Sequence, residues 1–224
     1  HRRILGSQAY RQAGNSQLAS KTRAQAAEID PNNVFLWKFP RRRLSAEELR
    51  DTILLFSGQL DRAPGQGHAF PPEHEWKFGQ HTPYIGSLKS RYRSVYLMRQ
   101  RVKRHPFLAT FDAADPNVST GQRVESTTAL QALWLMNNPD FHALADASAR
   151  RLLSSTNKLH EVAQRSHAAL TGHPPDDADL QSAIDYIREC ALRDRNAALA
   201  EQRERAVASY LRVLMSSNVF LYVE

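Results

Sequence analysis

Apolar residues recur at helical spacing over most of the second half of the chain, but along only one well-marked stretch of the first. That stretch begins with Ser45-Ala46-Glu47-Glu48, the form of a capping box. Leu49, Ile53 and Phe56 follow three and four apart, and Gly58 supplies a stop, so the spacing predicts a helix from Ser45 to Gly58. Upstream, Ile4, Leu5 and Ala9 share one side of a short helix within 1–12. An Ala-rich stretch predicts a second helix over 16–29, ended by Asp30-Pro31-Asn32-Asn33. Residues 61–90 hold four of the nine Gly and four of the eleven Pro with no sustained period, which reads as a long loop. Beyond it the period changes to two. Tyr92, Tyr96, Met98 and Val102 share one parity and Arg91, Arg93, Arg99, Arg101 and Lys103 the other, so a half-buried strand is expected near 92–99.

In the second half, TTALQALWLM (127–136) is apolar on nearly all sides and predicts a core helix, broken by Asn137-Asn138-Pro139. A helix carrying Phe141, Leu144, Ala145 and Leu152 follows. Another over about 157–170 presents Leu159, Val162, Ala163 and Leu170 and stops at Thr171-Gly172, where Asp176 or Asp177 can cap the next. Residues 178–215 read as one long or broken helical region closing with Tyr210, Leu211, Leu214 and Met215. The expected fold is therefore mainly α. It is one domain over 1–224, with a helical bundle in 121–224 and a loop-rich half, 1–120, that carries one or two short β-strands.

Composition narrows the classes. With 224 residues, 42% hydrophobic and 24% charged, the chain can bury a core. No apolar run approaches the roughly 20 residues that span a bilayer, and HRRILGSQAY lacks the apolar centre of a signal peptide. Cys190 is the only cysteine, which excludes an internal disulfide, a four-cysteine zinc site, an iron–sulfur cluster and a C-x-x-C-H haem attachment within the segment. At helical spacing with Leu180, Ala183, Ile184 and Ile187, it reads as a buried structural thiol.

Charge adds an asymmetry. The net +7 divides into 19 basic against 9 acidic side chains in residues 1–112 and 11 against 14 in residues 113–224. The richest basic stretch, Lys89–His105, places Arg91, Arg93, Arg99, Arg101, Lys103 and Arg104 among Tyr92 and Tyr96. Such a ribbon can contact phosphates while its aromatics stack on bases. No recognised nucleic-acid motif accompanies it, however, and the acidic second half offers Arg partners within the chain, so nucleic acid is not the expected partner.

Standard catalytic signatures are missing: no G-x-S-x-G, P-loop, G-x-G-x-x-G or H-E-x-x-H occurs. His68, His74 and His81 are spaced six and seven apart, unlike common zinc patterns, so surface histidines and no metal site are expected. Polar residues in apolar or turn-forming context are more informative. Arg43, Arg50, Asp51, Asp112, Arg123, Gln131 and Asn137 are expected to form a network joining the two halves, since a buried polar group without a partner costs about 1–3 kcal/mol. The catalytic alternative makes Asp112 and Asp115 acid/base carboxylates, with Arg123 or Arg50 holding an anionic substrate.

At these residues the chain resembles a known family. His1-Arg2-Arg3-Ile4, Tyr10-Arg11-Gln12, the run Arg43–Asp51 and Ser57–Asp61 come first. Arg93–Leu97, Phe111-Asp112, Asp115-Pro116, Arg123, Thr127-Thr128, Gln131–Leu133, Leu170–Pro175 and Ser217–Val223 then follow in order. Together they resemble the planctomycete-type C-terminal domain of unknown function that lies downstream of a planctomycete cytochrome c domain. Residues 61–90 depart from that pattern. The resemblance implies that the chain is the C-terminal part of a longer domain in an exported multidomain protein, in a periplasmic, cell-surface or secreted setting. Haem c would sit in an upstream domain and no cofactor in this segment. It carries over no activity. It favours an interaction or scaffold module that docks neighbouring domains of the parent chain or an anionic polysaccharide. An extracytoplasmic enzyme, redox-linked or carbohydrate-processing, with an Asp/Arg cleft is the alternative, and nucleic-acid binding through 89–105 a second one.

Overall fold

The computed structural model describes residues 1–7, 10, 20–63, 71–79, 81–193 and 198–223. The chain is mainly helical and divides into two compact units, residues 1–44 with 221–224 and residues 45–220.

In the smaller unit, α1 spans Arg2–Leu5 and α2 spans Ser20–Ile29. The chain turns after α2 because the Asp30 carboxylate accepts the amides of Val34 and Phe35 at 2.9 and 2.8 Å, while the Trp37 indole donates to the Asp30 carbonyl. Strand β1 (Arg42–Arg43) pairs antiparallel with β2 (Tyr222–Val223), Arg42 opposite Val223 and Arg43 opposite Tyr222.

The larger unit opens with α3 (Ala46–Ser57), and its capping box is complete. The Ser45 hydroxyl accepts from the Glu48 amide, the Glu48 carboxylate accepts from the Ser45 amide at 2.8 Å, and Gly58 closes the helix at φ 75°. After 3₁₀ turns at 73–75, 86–89 and 94–96 come α4 (Pro106–Thr110), α5 (Ala129–Asn137) and α6 (Pro139–Leu153). Then follow α7 (Leu159–Thr171), α8 (Asp177–Arg193), α9 (Leu199–Ser216) and α10 (Asn218–Leu221). Helix α9 is the centre, burying Ala206, Val207, Ala208, Leu211 and Met215 against α5, α6, α7 and α8. Helix α3 packs on α4, α6 and α7. Gly172 ends α7 in the left-handed region, and the Asp176 carboxylate accepts the Asp179 amide at the start of α8, as the spacing predicted. Cys190 is half-buried rather than buried.

Two expectations are corrected. Residues 92–99 are not a strand: a 3₁₀ turn occupies Ser94–Tyr96, and the stretch keeps only an isolated bridge between Asp61 and Tyr92. Its backbone groups are taken by side chains. Arg50 donates to the carbonyls of Ser90 and Tyr92, and Asp51 accepts from the Ser94 amide, so little remains to form a ladder. Nor is α5 a core helix. Gln131 and Leu135 are buried, whereas Leu130 is 72%, Leu133 50% and Met136 67% exposed. A sequence apolar all round does not say which face is covered. Here the covered face is chosen by Trp134, which meets Phe107 edge-on at 5.0 Å and Phe111 at 5.7 Å, with Phe141 beyond.

Candidate functional site

The predicted polar residues fall into separate groups, all but one within residues 45–220. Arg50 projects from mid-α3 with 6% of its surface exposed. Its guanidinium donates to the Ser90 and Tyr92 carbonyls and to the Ser94 hydroxyl, and it lies 3.5 Å from Asp51. Burial lowers its pKa against the pull of Asp51. Asp51 in turn accepts the Ser94 amide at 2.8 Å and its hydroxyl at 2.7 Å, so adjacent helix residues of opposite charge pin one turn.

Asp112 stands at φ 65°, a left-handed position that Asp tolerates better than most residues. Its carboxylate accepts the Ser126 amide and hydroxyl and, at 3.0 Å, the Gln131 amide group, which also donates to the Thr110 carbonyl. Gln131 simultaneously completes the α5 capping box with Thr128. Asp115 binds the Asn117 amide and Arg104; the Asn117 amide is the main cause holding its pKa below the usual carboxylate range. Arg123 pairs with Glu47 at 2.7 Å. The four residues of the acid/base reading thus each have their own partners. Asn137 stays outside the network, its amide donating to Leu133 of its own helix, while Asn138 caps α6. Arg43 belongs to the smaller unit, where it is buried.

Half of the basic ribbon is spent inside the chain. Arg91 makes a two-pronged pair with Asp140, Arg99 lies 3.6 Å from Glu47, and Arg104 faces Asp115. Arg93, Arg101 and Lys103 are exposed and make no ion pair among the described residues. His74 and His81 are on the surface, as expected; His68 lies outside the described residues. No group of three or more His, Cys, Asp or Glu able to hold a metal occurs among the described residues, and no described helix is long and apolar enough to cross a membrane.

The structure assembles something that spacing alone did not reveal. A cavity of about 330 Å³ opens beside the aromatic cluster, walled by Arg50, Ile53 and Leu54 of α3, the segment Leu88–Arg91, His105 to Phe107 at the start of α4, Trp134 of α5, and Asp140, Phe141 and Leu144 of α6. Most of this wall is apolar. Arg50, Arg91, Asp140 and His105 interrupt it, and both His105 ring nitrogens are buried with no hydrogen-bond partner among the described residues. The Leu88 backbone favours the protonated ring without meeting hydrogen-bond geometry. Burial first, and then Arg50, push the imidazole pKa down to about 4, so it is neutral at pH 7. In sequence His105 is one unit of a basic run; nothing in its spacing shows that it lines one cavity with Leu88, Trp134 and Phe141.

The site and fold define a helical domain with a ligand-sized, largely apolar cavity bordered by cations. The chain belongs to the family described as PSD1, protein of unknown function (DUF1553), whose profile matches residues 1–187. No curated protein and no solved structure matches it.

Proposed function

We propose that the domain is an interaction module of a larger exported protein, docking a neighbouring domain of the same polypeptide through the outer face of α5. The observation that carries this reading is the stripe Leu130, Leu133 and Met136, three large apolar side chains three residues apart on one helix face, each at least half exposed. The resemblance to planctomycete cytochrome c-associated domains supplies the setting: a periplasmic, cell-surface or secreted protein, with any haem c in an upstream domain. The enzymatic alternative is less well supported, because the Asp112 carboxylate is occupied by Ser126 and Gln131. The nucleic-acid alternative loses Arg91, Arg99 and Arg104 to internal pairs.

Methionine oxidation footprinting tests the docking. In the 224-residue chain Met136 should oxidise quickly and the fully buried Met215 slowly. In the parent protein Met136 should slow by about tenfold or more, given the burial that docking entails. Equal Met136 rates in the two would sink the proposal.

A further inference from the structure

We propose that the loop over residues 30–38 is a membrane-surface anchor that seats Val34, Phe35 and Leu36 in the interfacial layer of an anionic phospholipid bilayer. The loop belongs to the smaller unit, whereas the α5 docking stripe belongs to the larger one, and its role does not depend on that stripe.

Three successive apolar side chains stand out at the tip of the loop: Val34 is 70%, Phe35 81% and Leu36 51% exposed. The backbone holds them there. Two consecutive turns form it, the Asn33 amide donating to the Asp30 carbonyl and the Leu36 amide to the Asn33 carbonyl. The buried Asp30 carboxylate accepts the Val34 and Phe35 amides, which would otherwise oppose entry into a bilayer. Asn33 closes the base: its side chain accepts from the Lys38 amide at 3.2 Å and donates to the Lys38 carbonyl at 2.9 Å. Leu36 stands at φ 53°, a left-handed position uncommon for leucine. A loop fixed in this way has little ordering left to lose on insertion.

Charge selects the surface. The smaller unit holds nine Lys/Arg against three Asp/Glu (Glu28, Asp30 and Glu224), a net +6, which leaves only +1 of the chain's +7 for residues 45–220. Residues 31–44 contain Lys38, Arg41, Arg42 and Arg43 and no acidic residue. Lys38 makes no ion pair among the described residues, and its ammonium lies 4.9 Å from the centre of the Trp37 ring. Arg41 and Arg42 are exposed. An apolar tip, an amphipathic indole behind it and flanking cations match the layers of an anionic interface, acyl boundary first and headgroups next. A protein partner fits less well. A large aromatic side chain buries at most about 250 Å², so three side chains no larger than that fall short of the about 800 Å² per partner of a standard interface.

Co-sedimentation of the 224-residue chain with phospholipid vesicles tests the anchor. On phosphatidylcholine vesicles containing about 30 mol% phosphatidylglycerol, half of the chain should be bound at about 1 mM lipid or below, and pure phosphatidylcholine should bind it about tenfold more weakly. Phe35→Ser alters an exposed side chain, so it should melt at the wild-type temperature yet bind the anionic vesicles about tenfold more weakly. Lys38→Glu should weaken binding by about tenfold as well. No binding to the anionic vesicles up to about 5 mM lipid, equal binding to both vesicle types, or wild-type affinity in Phe35→Ser would each overturn the proposal. So would loss of binding in R93E/R101E/K103E with Phe35→Ser unaffected, which assigns the contact to the 89–105 ribbon. A wild-type dimer that Phe35→Ser dissolves would assign the tip to a second copy of the chain and overturn it too. If Phe35→Ser fails to fold, Lys38→Glu decides, and wild-type affinity there overturns the proposal.

Discussion

His105 keeps both ring nitrogens inside the protein without partners among the described residues, and this fixes the sign of its effect on stability. In the unfolded chain its pKa is near 6.5, whereas in the folded chain it is about 4, lowered mainly by burial and next by Arg50, with Arg99 opposing and Asp140 favouring the proton. Between those pH values the unfolded state binds the proton and the folded state does not. Stability is therefore undiminished above about pH 6.5 and falls as pH drops toward 4, by about 2–3 kcal/mol from this group after allowance for screening. Urea unfolding at pH 7.0 and 4.5 checks this: His105→Phe should lose less stability across the interval than the wild type. Equal losses would mean that the imidazole titrates normally.

Among the elements, those with local punctuation are where the chain's own chemistry places them. Helix α3 has Ser45, Glu48 and Gly58, α6 has Asn138, and α7 has Gly172; each marker acts within a few residues of backbone, so spacing alone locates it. The stretch 92–99 shows the limit of periodicity. Its alternation in sequence does not carry into the structure, where Leu97 is buried and Tyr96 exposed, and its backbone is fixed by Arg50 and Asp51, some 40 residues away in sequence. Asp51→Ala should therefore release the 94–96 turn and lower stability by about 2–4 kcal/mol, leaving Arg50 buried without its carboxylate. Denaturant unfolding reads the loss, and hydrogen exchange at the Ser94 amide should quicken. A change below about 0.5 kcal/mol would show that the turn is held by packing instead. Helix α5 was legible as a helix, but its exposed face was not, because the covering aromatic residues come from α4 and α6.

At the scale of the whole molecule, the +7 surplus is smaller in effect than in count. Pairs such as Arg91–Asp140 and Arg123–Glu47 join the basic first half to the second, and Lys89, Arg93, Arg101 and Lys103 are the ribbon cations left without ion pairs among the described residues. Binding to a sulfated polysaccharide through them should be weak and steeply salt-dependent, since exposed charges are screened beyond about 8 Å at physiological ionic strength. Retention on heparin should fall sharply between low and high salt, and further in the triple variant R93E/R101E/K103E. Retention insensitive to both would exclude this surface as the contact.

The amino-acid sequence by itself determined the mainly helical class, the ends of the capped helices and the family, because caps, stops and amphipathic spacing act over one or two turns of chain. Only the tertiary structure decided which polar groups meet. Asp112 joins Ser126 and Gln131, Arg50 reaches Ser90 and Tyr92, and the cavity draws its wall from residues as far apart as Arg50 and Leu144. Convergence of that kind depends on how helices pack at long sequence separation, and no local pattern records it.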